Sequence, residues 1–453
     1  MEQNTRMAES RPLGPLEKYS VCRSQLHIYR NVCVTASYLT NNDEELIPAL
    51  FRALGIVVEE HPILSATLVD AEKKPRFVRL DSVDLERIVT FLDYADKVPV
   101  PGDASLDVIL ERQHNVSFKY DEPTSVLWRL AVLYSLKDRS EFTVCLCFHH
   151  SIMDTKSALV FHHHLEAALY SPSTNGCTTI VESSKKPLLP PMEAVFQPKL
   201  SCGVLRNLQN PDQPPEAAWS GAVQTTPVHT RFSSLVLSPA LIAGLKRQCD
   251  LHSVSLTALL MSITANAFFQ VLPSEYTFLW GDCAVSLRPF LSSSITERSL
   301  GCYVGSFSER FERFNVSIWD DSKRTKSTID NLRKTNGKDM PVTFLQEVSD
   351  MCDMREWLSE KMGKRRWAAW ELSNVGTLAQ AGAPERAKCQ IKTLLFSQSA
   401  SACSGAIKIS VATGRDQRMT LGFSWQEDVV EKPIVAELIQ EMNRLVIQTA
   451  NKC

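Results

Sequence analysis

The stretch CLCFHHSIMDTKSALVFHHHLEAAL (Cys145–Leu169) carries five histidines and one aspartate between His149 and His164. A zinc site on a helix needs two histidines at i and i+4 on one face plus a third ligand. His162, His163 and His164 are consecutive, so they point in three directions from a helix and cannot converge. They read as polar or partly buried residues on the surface of one helix, and no metal site is expected. His149 and His150 end the apolar run EFTVCLCFHH, which suits a buried central strand. Strand ends in α/β sheets are where ligands and catalytic groups gather. Successive strand residues face opposite sides, so one imidazole can face a cavity while the other faces the packing. Of these two, only His150 has an acidic residue four positions on, Asp154, and the cavity is assigned to His150.

Outward from this stretch, NNDEELIPALFRALGIVVEEHPIL (Asn41–Leu64) has Asn and Asp cap candidates, then acidic residues expected in the first turn. Leu46, Leu50, Ala53, Leu54 and Val57 follow at helical spacing, and the helix should end before His61-Pro62. RFVRL, RIVTFLDY and LWRLAVLYSL read as strands. Helices and strands alternate, so the fold class is α/β.

Between Ser183 and Thr230 lie eight of the 23 prolines in about a tenth of the chain, which marks a long crossover segment. Beyond it RFSSLVLSPALIAGLKRQCDLHSVSLTALLMSITANAFFQVL reads as a strand, a helix, and a second helix capped near Ser253 or Ser255. YTFLWGDCAVSLRPFL is a strand ending at Arg288, and a charged, helical middle (Trp319–Gly363) follows. WAAWELSNVGTL, KTLLFSQSA, AIKISVAT and RMTLGFSWQE are successive strands, before a last helix with a broad apolar face from Ile434 to Val446. The expected domains are 1–182, the linker 183–230, and 231–453.

With 453 residues, 44% hydrophobic and 22% charged, the chain has the composition of a globular protein with a sizeable core. Its formal charge of -2 provides no field to collect nucleic acid or an anionic membrane. Thirteen cysteines without a CxxC pair, and a start lacking a basic region followed by an apolar one, fit a reduced, cytoplasmic chain. The longest apolar segment, Leu256–Leu272, is short of the ~20 residues of a spanning helix and reads as a buried helix. The triplets Asn115-Val116-Ser117 and Asn315-Val316-Ser317 match a glycosylation pattern that has no meaning outside the secretory pathway. A soluble monomer is expected.

A neutral imidazole has an ordinary pKa near ~6.5 and can take and return a proton at neutral pH, contributing about 10²- to 10⁴-fold to a rate. HxxxD alone is a weak pattern. FHHSIMD after an apolar strand, LWRLAVLYSL upstream, the proline-rich crossover, AVSLRPFL and LSNVG together resemble the yeast and fungal alcohol acetyltransferases. These belong to a superfamily that includes plant BAHD acyltransferases, chloramphenicol acetyltransferase (CAT) and the condensation domains of peptide synthetases. The resemblance runs from about Leu16 to Gln448.

It implies two CAT-like domains with the active-site tunnel at their interface, acetyl-CoA or another acyl-CoA as co-substrate, and a small hydrophobic acceptor such as a hydroxylated secondary metabolite. No bound cofactor or metal is implied. His150 would take the acceptor proton, with no covalent acyl-enzyme. Asp154 would turn away from substrate and pair with Arg288 of SLRPF, fixing the catalytic loop. Thr155 stands where the family often has Gly and would narrow the tunnel. The plant-type DFGWG motif is absent, with ELSNVG (Glu371–Gly376) in its region. Ser373 and Asn374 there could shape the tunnel or donate to the oxyanion, and a strand-terminating turn is an equal alternative; His149 is a further tunnel candidate. An amine acceptor, a thioesterase and a non-catalytic binding protein of the same fold are the competing readings. There is no GxSxG nucleophile elbow to favour hydrolysis.

Overall fold

A computed structural model describes residues 9–41, 45–120, 122, 124–169, 178–209, 214–314, 317–348, 351–378 and 389–452. In the first half, α1 (Pro15–Gln25) leads to β1 (Val32–Thr40), α2 (Leu46–Glu60), β2 (Val89–Asp93), β3 (Trp128–Tyr134), β4 (Glu141–Phe148) and α3 (Thr155–Leu169). In the second half, β5 (Thr230–Leu237), α4 (Pro239–His252), α5 (Leu256–Val271), β6 (Phe278–Ser286), β7 (Val304–Glu312) and α6 (Ile318–Lys334) follow. β8 (Trp370–Thr377), β9 (Cys389–Gln398), β10 (Ile407–Thr413), β11 (Met419–Gln426) and α7 (Lys432–Ala450) complete the order.

These strands form two mixed sheets, β9-β1-β4-β3-β2 and β5-β11-β10-β8-β6-β7. β4 is the central strand of the first, buried from Phe142 to Phe148, as its unbroken apolar run requires. Phe148 is in register with both Val32 of β1 and Trp128 of β3, so His149 and His150 follow where the sheet ends. One strand crosses between the halves. β9 pairs antiparallel with β1, Phe396 opposite Val34, and so closes the first sheet with a strand from the second half.

α2 lays Leu50, Ala53, Leu54 and Val57 into the first core and ends at Glu60. Its start departs from the sequence expectation. Glu45 is the N-cap residue, with no side-chain cap, and no acidic residue lies in the first turn. The candidates Asn42 and Asp43 lie outside the described residues, as do Asn315 and Val316 of the second triplet. In the second half Ser255 caps α5 by accepting from the Ala258 amide at 3.2 Å, while Ser253 ends α4 in a left-handed conformation. α5 is buried in the second core with Val435, Leu438, Met442 and Val446 of α7. Among the described residues no single helix is long and apolar enough to cross a membrane.

The crossover from 183 to 230 has short helices at Met192–Val195 and Cys202–Gln209. Among its anchors to the first half is the Glu193 carboxylate, which accepts from the Leu16 amide at 2.6 Å at the start of α1.

Candidate active site

The turn from β4 to α3 carries His149 to Asp154 and is held by the second half of the chain. Asp154 is the residue before α3, and its Oδ1 accepts from the Ser157 amide at 2.9 Å, a helix cap. The same carboxylate takes both arms of Arg288, Nη1 to Oδ2 at 2.7 Å and Nη2 to Oδ1 at 3.1 Å, and Oδ2 accepts from the Tyr303 amide at 2.9 Å. Burial raises the Asp154 pKa, and the adjoining guanidinium outweighs it and holds the group below the ordinary carboxylate range. Arg288 opens a short turn after β6 and also donates to the Ser299 carbonyl at 3.0 Å. Ser157 closes the arrangement: its hydroxyl lies 2.8 Å from the Gly301 carbonyl and accepts from the Gly301 amide at 3.0 Å. Position 301 cannot take a larger residue without movement, since a Cβ there would lie 2.4 Å from the Tyr303 ring.

A cavity of about 300 Å³ lies on the other side of this turn, lined from both halves by residues including Tyr29, His150, Thr155, Ser286, Cys302 and Ser373. His150 faces it. Its Nδ1 donates to the Met153 carbonyl at 3.1 Å, with the Cys302 sulfur 3.5 Å away. Nε2 has no hydrogen-bond partner among the described residues, so the neutral ring presents its basic nitrogen to the cavity. Burial, followed by the positive charge of Arg23, lowers the imidazole pKa to about 4, while Asp154 pulls it upward. At neutral pH the ring is uncharged.

His149 points the other way. Its Nδ1 accepts from the Ser151 amide at 3.1 Å and faces the Ser151 hydroxyl at 2.7 Å, while Nε2 meets the Tyr120 hydroxyl at 2.9 Å. It does not line the cavity, which corrects its assignment as a tunnel residue: strand alternation sends the two neighbouring rings to opposite faces. Thr155 and Asn374 do line the cavity. Asn374 is committed locally, with Nδ2 donating to Thr257 Oγ1 at 3.1 Å and Oδ1 accepting from the Gly376 amide at 2.9 Å, so it serves the turn at the end of β8. The Ser373 hydroxyl has no hydrogen-bond partner among the described residues.

The trio on α3 is a second correction. His163 and His164 are part-exposed, but His162 is fully buried, its Nδ1 at 2.8 Å from the Tyr38 hydroxyl and its Nε2 donating to the Val34 carbonyl at 3.0 Å. Partners on β1 satisfy both nitrogens, which lets a polar ring sit in the core.

Several cavity groups were not foreseen. Lys408 of β10 donates to Glu371 of β8 at 2.8 Å, Asp282 of β6 accepts from Ser308 at 2.5 Å, and Arg23 of α1 stacks on Tyr29. Asp282 and Lys408 interrupt apolar strand sequences, FLWGDCAVS and AIKISVAT, and that was the available signal. Arg23 carries none.

The sequence model of a family described as "Alcohol acetyltransferase" matches residues 102–444. "Probable alcohol acetyltransferase crmB" of Aspergillus fumigatus is 31% identical over 92% of this chain and 95% of its own length. "Probable alcohol acetyltransferase FCK4" of Fusarium pseudograminearum is 22% identical over 87% and 85%. Among solved structures, the TRI3 trichothecene 15-O-acetyltransferase of Fusarium sporotrichioides superposes with a TM-score of 0.71 at 12% identity, covering 97% of this chain and 95% of that one. The first condensation domain of the calcium-dependent antibiotic synthetase gives 0.64 at 12%, covering 99% and 98%. The fold is therefore the two-domain CAT-like one, with the cavity between its halves. With that fold and more than half of its length matched by the family's sequence model, the chain belongs to the alcohol acetyltransferase family and is an acyltransferase.

Proposed function

We propose that the protein transfers an acetyl group from acetyl-CoA to the hydroxyl of a small acceptor, with His150 as general base. The observation that carries this reading is the state of His150: neutral, locked by its Nδ1–H on the Met153 carbonyl, and presenting Nε2 to the cavity. The acceptor hydroxyl gives its proton to Nε2 as its oxygen attacks the thioester carbonyl. The tetrahedral intermediate collapses with cleavage of the carbon–sulfur bond. The imidazolium returns the proton to the departing thiolate, so the products are the acetyl ester and CoA.

No group attached to the enzyme is acylated in this sequence. Asp154 does not touch the reacting atoms; through Arg288, Ser157 and Tyr303 it fixes the turn that aims His150. Ser373, with an unengaged hydroxyl in the cavity, is the candidate donor to the oxyanion.

Free thiol release from acetyl-CoA is measured with and without a panel of alcohols. Release that requires an alcohol supports transfer, and release at the same rate in its absence identifies hydrolysis and overturns the reading.

A further inference from the structure

Two of the carboxylates around the cavity are closed by ion pairs, and Lys156, which also lines it, donates to the Val375 carbonyl at 2.8 Å. Asp154 is answered by Arg288, Glu371 by Lys408 at 2.8 Å, and Asp282 by the Ser308 hydroxyl at 2.5 Å. Arg23, in the last turn of α1, lines the same cavity and is only 8% exposed. Its guanidinium carbon lies 4.2 Å from the centre of the Tyr19 ring and 4.6 Å from that of Tyr29. Nη2 donates to the Ser20 hydroxyl at 3.3 Å, Nε has no hydrogen-bond partner, and among the described residues no carboxylate lies within ion-pair distance.

A buried guanidinium with no carboxylate in contact costs several kcal/mol, which the more distant Glu371 carboxylate offsets in part and ring faces by about 2 kcal/mol or less each. The guanidinium fork is built to take a planar carboxylate in two parallel hydrogen bonds. Its position ties it to the reaction. The Tyr29 ring centre is 4.6 Å from the guanidinium carbon and 6.1 Å from the His150 ring centre, so the cation and the base stand at the same end of the cavity, one aromatic ring apart.

We propose that Arg23 determines specificity by binding a carboxylate carried by a substrate, foremost an acceptor that is a hydroxy acid with an apolar body. This rests on the acyl-transfer reading and refines it: the hydrophobic acceptor expected from the sequence becomes an amphipathic one, with its hydroxyl at His150 and its acid group at Arg23. The same carboxylate could arrive on a dicarboxylic acyl donor, and the test separates the two sources.

Matched pairs of apolar hydroxy acids and their methyl esters are offered with acetyl-CoA, and the esters also with malonyl-CoA. kcat/KM is measured for wild type, Arg23→Gln and Arg23→Lys. In wild type the acid is preferred over its ester, or malonyl-CoA over acetyl-CoA, by about 10-fold or more. The first preference assigns the carboxylate to the acceptor and the second to the donor. Arg23→Gln abolishes the preference, and Arg23→Lys, which keeps the charge and loses the fork, retains part of it. Should Arg23→Gln fail to fold, the lysine variant carries the test. Equal use of acid and ester with no preference between donors, or a variant that slows all substrates alike, overturns the inference and leaves Arg23 a structural stack on two tyrosines. Acylation of no hydroxyl compound by either donor overturns the acyl-transfer reading as well.

Discussion

Replacing Asp154 by asparagine tests how the turn that carries His150 is held. The carboxylate receives both arms of Arg288 and the amides of Ser157 and Tyr303, all within 3.1 Å. The side chains of the pair are 1% and 6% exposed, so water cannot replace a lost partner. Asparagine removes the negative charge and turns an NH₂ toward one of these donors. Breaking one partner of a buried pair costs about 3–5 kcal/mol because the other charge stays buried. For a chain of 453 residues, an unfolding entropy of about 1 kcal/mol/K converts that into a melting temperature lower by about 3–5 °C, provided the two halves unfold together. Catalysis should suffer more than stability, since a base misplaced by about 1 Å costs on the order of 100-fold in kcat. Calorimetry and steady-state kinetics measure both effects. Asp154→Leu combined with Arg288→Met should recover much of the stability without the activity, because an apolar pair carries no buried charge and no longer aims the turn. An Asp154→Asn protein with unchanged melting temperature and unchanged kcat refutes the positioning role.

Two pH dependences follow from the buried imidazoles. His61, His150 and His162 are lowered to about 4, and His114 and His149 to about 3, each chiefly by burial. Their stabilising contribution is present above the ordinary pKa of ~6.5 and is lost as pH falls toward the folded values, because the unfolded chain binds the extra protons. Glu193 and Asp282, raised by burial to about 7 and about 6, work in the opposite sense and recover about two protons. Near pH ~5.5 a net of about three protons remains, so stability should fall by about 4 kcal/mol per pH unit, and a melting temperature that holds constant from pH 7 to 5 contradicts this. For catalysis, a base at His150, as proposed, acts when neutral, so kcat/KM should hold down to about pH 5 and be lost through about 4; a limb centred near ~6.5 refutes the lowered pKa.

Much of the fold could be read from the sequence because its local signals agree. β4 is an unbroken apolar run, α2 repeats its apolar residues at helical spacing, and Ser255 caps the helix it precedes. Asp154 and Arg288 were legible together only through the resemblance, since 133 residues separate them and no periodicity links such positions. The crossing of β9 into the first sheet was not legible: an apolar strand does not encode which sheet it joins. His162 was misread because its burial depends on Tyr38 and the Val34 carbonyl, which reach it only after β1 and α3 pack. Arg23, Asp282, Glu371 and Lys408 come from four separate segments, and tertiary structure alone gathers them around one cavity.

His150 is proposed as the base that activates an acceptor hydroxyl. The most direct measurement is mass spectrometry of products from acetyl-CoA and a mixed panel of alcohols, with wild type and His150→Ala side by side and their melting temperatures compared. A mass gain of one acetyl group on an alcohol with wild type, reduced about 10²- to 10⁴-fold in a variant that melts with wild type, is the predicted result. Acetylated product formed at the wild-type rate by His150→Ala contradicts the account.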